Sequence, residues 1–308
     1  MILPILYVFV WTTCINPTTP LALEYASRNT LTTFANTTLP KRAQGDTRTI
    51  PVFNVGNGLE FSVDLGIGGS VFRMQVDTGS SDAWLFDETC SSDDKSCGPQ
   101  SGKQTVSSAR VLYTDKNTAT KYTHGGMQGR VVRARNVQLG PMVIPEVHFG
   151  AAVHAEAFTY DVDGILGLGF RGTCKLCKAD ESGRTFLESA GISSFCLLLP
   201  VSQKTGSKGV LTIGAPDPTY YQGTMIYEPL IDASHWNFGS PVLQFGDQVI
   251  KFQKPFVLVD SGTSVITMES EAADTINRIL GTTPGSLPRD LHQVDCSKMT
   301  TGITNPLI

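Results

Sequence analysis

The sequence is short of charge and of long apolar runs. Of its 308 residues only 17% are Asp, Glu, Lys or Arg, below the roughly 25% common in soluble domains. Its 24 Lys+Arg are outnumbered by 28 Asp+Glu. That excludes a nucleic-acid binder working by bulk positive charge, because nothing in the balance would neutralise a run of phosphates. Beyond the first eleven residues no apolar stretch approaches the ~20 residues a membrane helix needs. Metal-ligand spacing is also missing. His148, His154, His235 and His292 stand alone and read as structural or surface residues, so no metal or other cofactor is expected. Helical periodicity is scarce, confined to Arg184–Ala190 and to Ser270–Leu280 with Gly281 as a C-terminal cap.

What is present is apolar, turn-rich sequence. Hydrophobic residues make up 41%, with 30 Gly and 17 Pro, enough for a core and for many short strands. Strand-like runs cover Leu59–Leu65, Val71–Val76, Arg130–Leu139, Met142–Phe149, Gly209–Ile213, Val242–Phe245 and Val249–Phe252. Turn signals fall at Asn54–Asn57, Gly66–Gly69, Gly125–Gly129 and Gly246-Asp247. The expected fold class is mainly β.

The amino terminus has the form of a secretory signal. Ile2–Trp11 is a ten-residue apolar run, the length of a signal core and too short for a membrane span, although a buried strand would also fit. Polar sequence follows, with the glycosylation acceptor Asn36-Thr37-Thr38 and the dibasic pair Lys41-Arg42. That pair reads as a processing site, or as ordinary solvated surface. Cys14 lies in the signal, which leaves six cysteines. Cys90 and Cys97 bracket a polar loop and read as a disulfide. Cys174 and Cys177 form a lone CxxC, too little for zinc and without the βαβ context of a redox motif, and read as a small structural bridge. Cys196 reads as a buried free thiol. Cys296 has no evident partner.

One long internal echo carries chemistry. Val76-Asp77-Thr78-Gly79-Ser80-Ser81 follows an alternating strand, and Val259-Asp260-Ser261-Gly262-Thr263-Ser264 follows Phe256–Val259. The two Asp are 183 positions apart. A single Asp-Thr-Gly arises easily by chance, since Asp and Gly favour turns. Two matched copies in the same strand-then-loop setting are far more specific.

With these motifs the chain resembles the pepsin-like, two-lobe aspartic proteases over most of its length beyond Lys41. Further matching features are Trp84 and Cys90, the segment YTHGGMQG beginning at Tyr122, the segment DGILGLGF (Asp163–Phe170), and Tyr220-Tyr221-Gln222-Gly223 with Pro229 and Trp236. The resemblance implies a secreted endopeptidase, made as a zymogen, in which Asp77 and Asp260 activate a water between them. Such sites use two close carboxylates that share a proton. Gly79 and Gly262 would let the two loops approach. Ser80 and Thr263 would bond the carboxylates, and Thr78 and Ser261 would brace the loops.

Tyr122 would sit on a mobile flap and accept the Trp84 indole N–H. Ile165, with Phe158 more loosely, would line an apolar pocket. Trp84, Tyr122 and Ile165 also fit ordinary core positions. Asp82 stands where the family has Asn, adding a carboxylate near the site, and His124 stands where a small hydroxyl residue is usual. A protonated His124 would favour acidic substrate side chains.

By the resemblance, residues 1–21 are signal, 22–42 pro-segment, 43–200 a complete first lobe, and 201–308 an incomplete second lobe. The second-lobe counterpart of Ile165-Leu166-Gly167 would fall near position 348, past residue 308. The family's partner for Cys296 would also lie later. Weak or no activity is expected of such a fragment. The alternative reading is a non-catalytic relative that binds peptide or protein in the same cleft. The implied partners are a peptide or protein substrate, with no nucleic acid and no membrane, for a monomer that is secreted or held in an acidic vacuole-type compartment.

Overall fold

The computed structural model describes residues 48–284 and 292–293, except for 56–57, 99–101, 123–124, 159–160, 201–207, 222–226, 240–241, 246–247, 254–255 and 265. The signal, the Asn36 acceptor, Lys41-Arg42, His124 and Cys296 therefore lie outside the described residues.

The chain divides into two units. The larger holds Asp46–Phe238 and Leu258–Ser264. Its framework is a ten-stranded sheet in the order β5-β6-β7-β4-β8-β3-β2-β1-β10-β9. The strands are β1 (Arg48–Val55), β2 (Glu60–Ile67), β3 (Ser70–Asp77), β4 (Ala83–Phe86), β5 (Leu112–Tyr122), β6 (Gly125–Leu139), β7 (Met142–Glu156), β8 (Gly164–Gly167), β9 (Phe195–Leu198) and β10 (Lys208–Ile213). The sheet curls so far that Leu139 and Gln138 of β6 pair with Leu65 and Gly66 of β2. Lys208–Ile213, beyond the expected boundary at residue 200, pairs antiparallel with β1.

The alternation read in the sequence sets the faces. On β3, Phe72, Met74 and Val76 are fully buried while Val71 and Arg73 point to solvent, as a period of two requires. These side chains join Leu65, Phe149 and Leu166 in the main core. β8 lies between β3 and β4, parallel to the first and antiparallel to the second, with Gly167 opposite Asp77. The carboxyl end of β3 thus sits in mid-sheet, covered on both sides.

Two short helices follow β8. Helix α1 (Lys175–Ala179) begins at Cys174, whose sulfur accepts the Cys177 N–H. Helix α2 (Phe186–Ser189) begins in a capping box of Thr185 with Glu188. Disulfides join Cys90 to Cys97 and Cys174 to Cys177. Cys196 is a free thiol but only half-buried, because β9 alternates and turns it off the core face taken by Phe195 and Leu197. The segment Gly125–Gly129, expected as a turn, instead opens β6, with a register shift at Gln128/Gly129.

In the smaller unit, Val242–Phe245 pairs with Gln248–Lys251. Helix α3 (Ser270–Leu280) has its cap at Gly281 in the left-handed region, φ 61°. Ala272 of α3 packs on Ile250. Among the described residues no helix is long and apolar enough to cross a membrane.

Phe72 is 0% exposed at the centre of the main cluster. Phe72→Ala is expected to destabilise the larger unit by about 3–5 kcal/mol. A urea denaturation midpoint unchanged from wild type would contradict that placement.

Candidate active site

The two echoed loops meet inside the larger unit. Asp77 ends β3, and Asp260 lies in the returning segment Leu258–Ser264. Each loop closes on its own carboxylate in the same way. Gly79 N–H donates to Asp77 Oδ1 at 2.8 Å, and Gly262 N–H donates to Asp260 Oδ1 at 2.8 Å. Ser80 Oγ donates to Asp77 Oδ2, and Thr263 Oγ1 donates to Asp260 Oδ2 at 2.5 Å.

Between the loops Thr78 and Ser261 exchange bonds. Thr78 N–H donates to Ser261 Oγ (3.1 Å) and Ser261 N–H to Thr78 Oγ1 (2.9 Å). The hydroxyl protons go to the carbonyls of Val259 (2.8 Å) and Val76 (2.7 Å). A β-carbon on Gly79 would collide with the Asp260 carboxylate, and one on Gly262 with that of Asp77. Only glycine leaves room for the carboxylates to come together.

This closeness sets the charge. Asp77 is 5% exposed. Burial first, and the Asp260 charge second, push its carboxyl up to about 7, against the opposing bonds from Ser80 and Gly79. Such a pair titrates as a unit rather than as two separate acids.

β5 and β6 form a hairpin that closes at the Tyr122↔Gly125 pair. The Trp84 indole N–H donates to Tyr122 Oη at 2.8 Å. Phe158 meets Trp84 edge-on at 4.8 Å and Tyr122 edge-on at 5.7 Å. Ile165 belongs to the same buried cluster. Loss of water and the Asp77 charge hold the Tyr122 hydroxyl well above its usual range, so it stays a neutral donor. Among the described residues no group of His, Cys, Asp or Glu is placed to hold a metal ion.

The family model for eukaryotic aspartyl proteases matches residues 60–305. The chain belongs to that family. It is similar to vacuolar protease A of Aspergillus fumigatus, with 26% identity over 80% of this chain and 62% of that protein. It is also similar to cathepsin E of Rattus norvegicus, with 24% identity over 77% of this chain and 60% of that protein. The chain thus spans about three-fifths of the length of the curated relatives it matches. The crystal structure of an aspartic proteinase from Irpex lacteus superposes with a TM-score of 0.64, at 21% identity, over 83% of this chain and 74% of that one.

For Asp82 and Trp236 the sequence reading gave the residue but missed the bonds it makes, and Gln75 escaped it altogether. Asp82 does not face the carboxylate pair through its bonds. It accepts from the Lys175 and Leu176 N–H groups (3.1 and 2.9 Å) and from Thr120 Oγ1 (3.0 Å), joining the start of α1 to β5. Trp236 donates its indole N–H to Leu168 O (2.8 Å), and its carbonyl accepts Val259 N–H (2.9 Å). It thereby ties the strand before Asp260 to the segment after β8. Gln75 reaches Gly262 O at 3.4 Å.

Glu60 is 1% exposed, and neither carboxylate oxygen has a partner among the described residues. Burial, then the Asp161 charge, raise it to about 8, with Lys103 opposing. A charged residue at a strand edge gives no sequence signal of burial.

Asp77 and Glu60 have the same sign of pH linkage. Each binds its proton more tightly folded than unfolded, so the stabilisation is complete below about pH 4 and is lost as pH rises through about 7 and 8. The melting temperature is therefore expected to fall between pH 4 and pH 8, and to fall less in Asp77→Asn and in Glu60→Gln. A melting temperature that rises across this window in the wild type would contradict the assignment.

Proposed function

We propose that this chain is an aspartic-type endopeptidase, with Asp77 and Asp260 as its acid–base pair. The observation that carries the reading is the joining of two carboxylates by mutually braced loops, with Asp77 raised to about 7. One carboxylate, ionised, would take a proton from a water held between them. The other, protonated, would donate to the substrate carbonyl. As the C–N bond breaks, the first would pass the proton taken from water to the leaving amine, and the second would take a proton back from the gem-diol hydroxyl, restoring the pair. No covalent intermediate is needed.

Ser80 and Thr263 would fix the outer carboxylate oxygens, and the Gly79 and Gly262 N–H groups the inner ones. Tyr122, held by Trp84, would cover the bound peptide and exclude water. Phe158 and Ile165 would favour apolar side chains beside the scissile bond. The reading extends to synthesis as a secreted zymogen cleaved near Lys41-Arg42. It also places the enzyme in an acidic compartment, in keeping with the vacuolar relatives, and makes it a monomer.

The chemistry needs one proton on the pair. Raising the pH past about 7 removes it, and activity should disappear there. Pepstatin binding by calorimetry at acidic pH, with cleavage of a denatured protein in parallel, tests the pair. Pepstatin should bind, and Asp77→Asn and Asp260→Asn should each weaken it at least about tenfold. Whatever cleavage occurs should fall roughly 100-fold or more in both variants. Absence of pepstatin binding, or cleavage undiminished in both variants or greatest above neutral pH, would contradict the proposal.

A further inference from the structure

A second concave feature lies apart from the carboxylate pair, where the loop 107–111 enters β5. Arg133 and Arg135 are two residues apart on β6 and so share a face of the sheet. In register they stand beside Leu112 of β5 and beside His148 and Glu146 of β7. A cavity of about 190 Å³ opens between loop and strand, with Ser108, Arg110, Val111, Leu112, Arg133 and Arg135 among its walls. Three of its lining residues are arginines and none is acidic.

Two carboxylates stand near these arginines, Glu146 beside Arg135 and Asp180 within electrostatic reach of Arg133, but neither lines the hollow. Arg110 is held in place, its Nε donating to Ser70 Oγ at 3.1 Å and its Nη1 to Thr105 O at 3.4 Å, both neutral acceptors. Arg133 Nε is buried and has no acceptor among the described residues. A buried donor left unpaired loses its hydration without replacement and favours an acceptor that can reach it. Beside it on β7, His148 is 5% exposed, and neither ring nitrogen has a partner among the described residues.

Glu146 reaches Arg135 Nε only at 3.8 Å, across side chains 37% and 69% exposed. An exposed pair of that kind contributes little. Three arginines contribute to the walls of a small hollow that no carboxylate lines, and like charges gathered there favour an anion between them. Guanidinium groups present planar forks of donors that match the oxygens of tetrahedral oxyanions. The hollow is large enough for one such group and too small for a folded partner.

We propose that this cavity binds a doubly charged tetrahedral oxyanion of the sulfate or phosphate type, either as the free ion or as an ester carried on a glycan. The site shares no residue with the carboxylate pair, so it stands whether or not the chain hydrolyses peptides. Calorimetry on the full chain tests it. Sodium sulfate and sodium phosphate are titrated against sodium chloride at equal ionic strength. A sulfated oligosaccharide of the heparin type is titrated against its desulfated counterpart.

Binding of the inorganic ions, or of the sulfated sugar alone, is expected, and the choice between them names the source of the anion. Affinity should fall at least about tenfold in Arg135→Gln, whose exposed side chain is not needed for folding, and disappear in Arg133→Gln/Arg135→Gln. Arg135→Glu should abolish binding by itself and keeps the test valid if the double variant does not fold. No binding of either ligand at millimolar concentration, or binding unchanged in Arg135→Gln and Arg135→Glu, overturns the proposal.

Discussion

A buried carboxylate set beside a second, half-buried one meets repulsion. Two unit charges about 4 Å apart cost roughly 4 kcal/mol at the effective dielectric of a protein, and the buried Asp77 also loses hydration. Something must hold the groups together against this, and here it is the exchange between Thr78 and Ser261. Each hydroxyl accepts the other loop's backbone N–H and donates to a backbone carbonyl, Val259 or Val76. No water is needed to satisfy these four groups, and neither loop can shift without breaking bonds in the other. The brace makes the carboxylate contact obligatory, and burial together with the contact raises the Asp77 carboxyl.

The rest of the larger unit supports the brace. β3 delivers Asp77 to mid-sheet because β8 lies parallel beside it, and Leu168 N–H closes on Asp77 O at 2.7 Å. Trp236 then fixes the other loop by joining Leu168 to Val259. The aromatic cluster of Trp84, Phe158 and Tyr122 brings a neutral hydroxyl near the Asp77 charge. Asp82 ties the hairpin strand β5 to the disulfide-bearing helix α1. A chain that belongs to the aspartyl protease family thus concentrates its buried polar bonding where two distant stretches of sequence meet.

The sequence made the echo legible because each copy is local: an apolar strand, then Asp, a hydroxyl residue, Gly and a second hydroxyl residue. The helix Ser270–Leu280 was legible for the same reason, with eleven residues of periodicity and a terminal Gly. What remained hidden depends on distant partners. β1 contains Pro51 and has no clean alternation in its sequence, and it becomes a strand by pairing with Lys208–Ile213, far along the chain. Helix α1 has only five residues and is fixed by a sulfur cap and by Asp82. The burial of Glu60 and the bonding of Asp82 to Thr120, Lys175 and Leu176 follow from tertiary surroundings that no local pattern encodes. Cys196 lies in an apolar run and was expected to be buried, but the alternation of its strand decided otherwise.

The most direct measurement is the titration of the Asp77 carboxyl itself, by carbon-13 NMR of the labelled side chain, in the wild type and in Asp260→Asn. An apparent pKa near 7 is expected in the wild type, falling when the neighbouring charge is removed but staying above the ordinary range because the group remains buried. An Asp77 that titrates near 4 in the wild type, or identically in the two proteins, would contradict a coupled carboxylate pair.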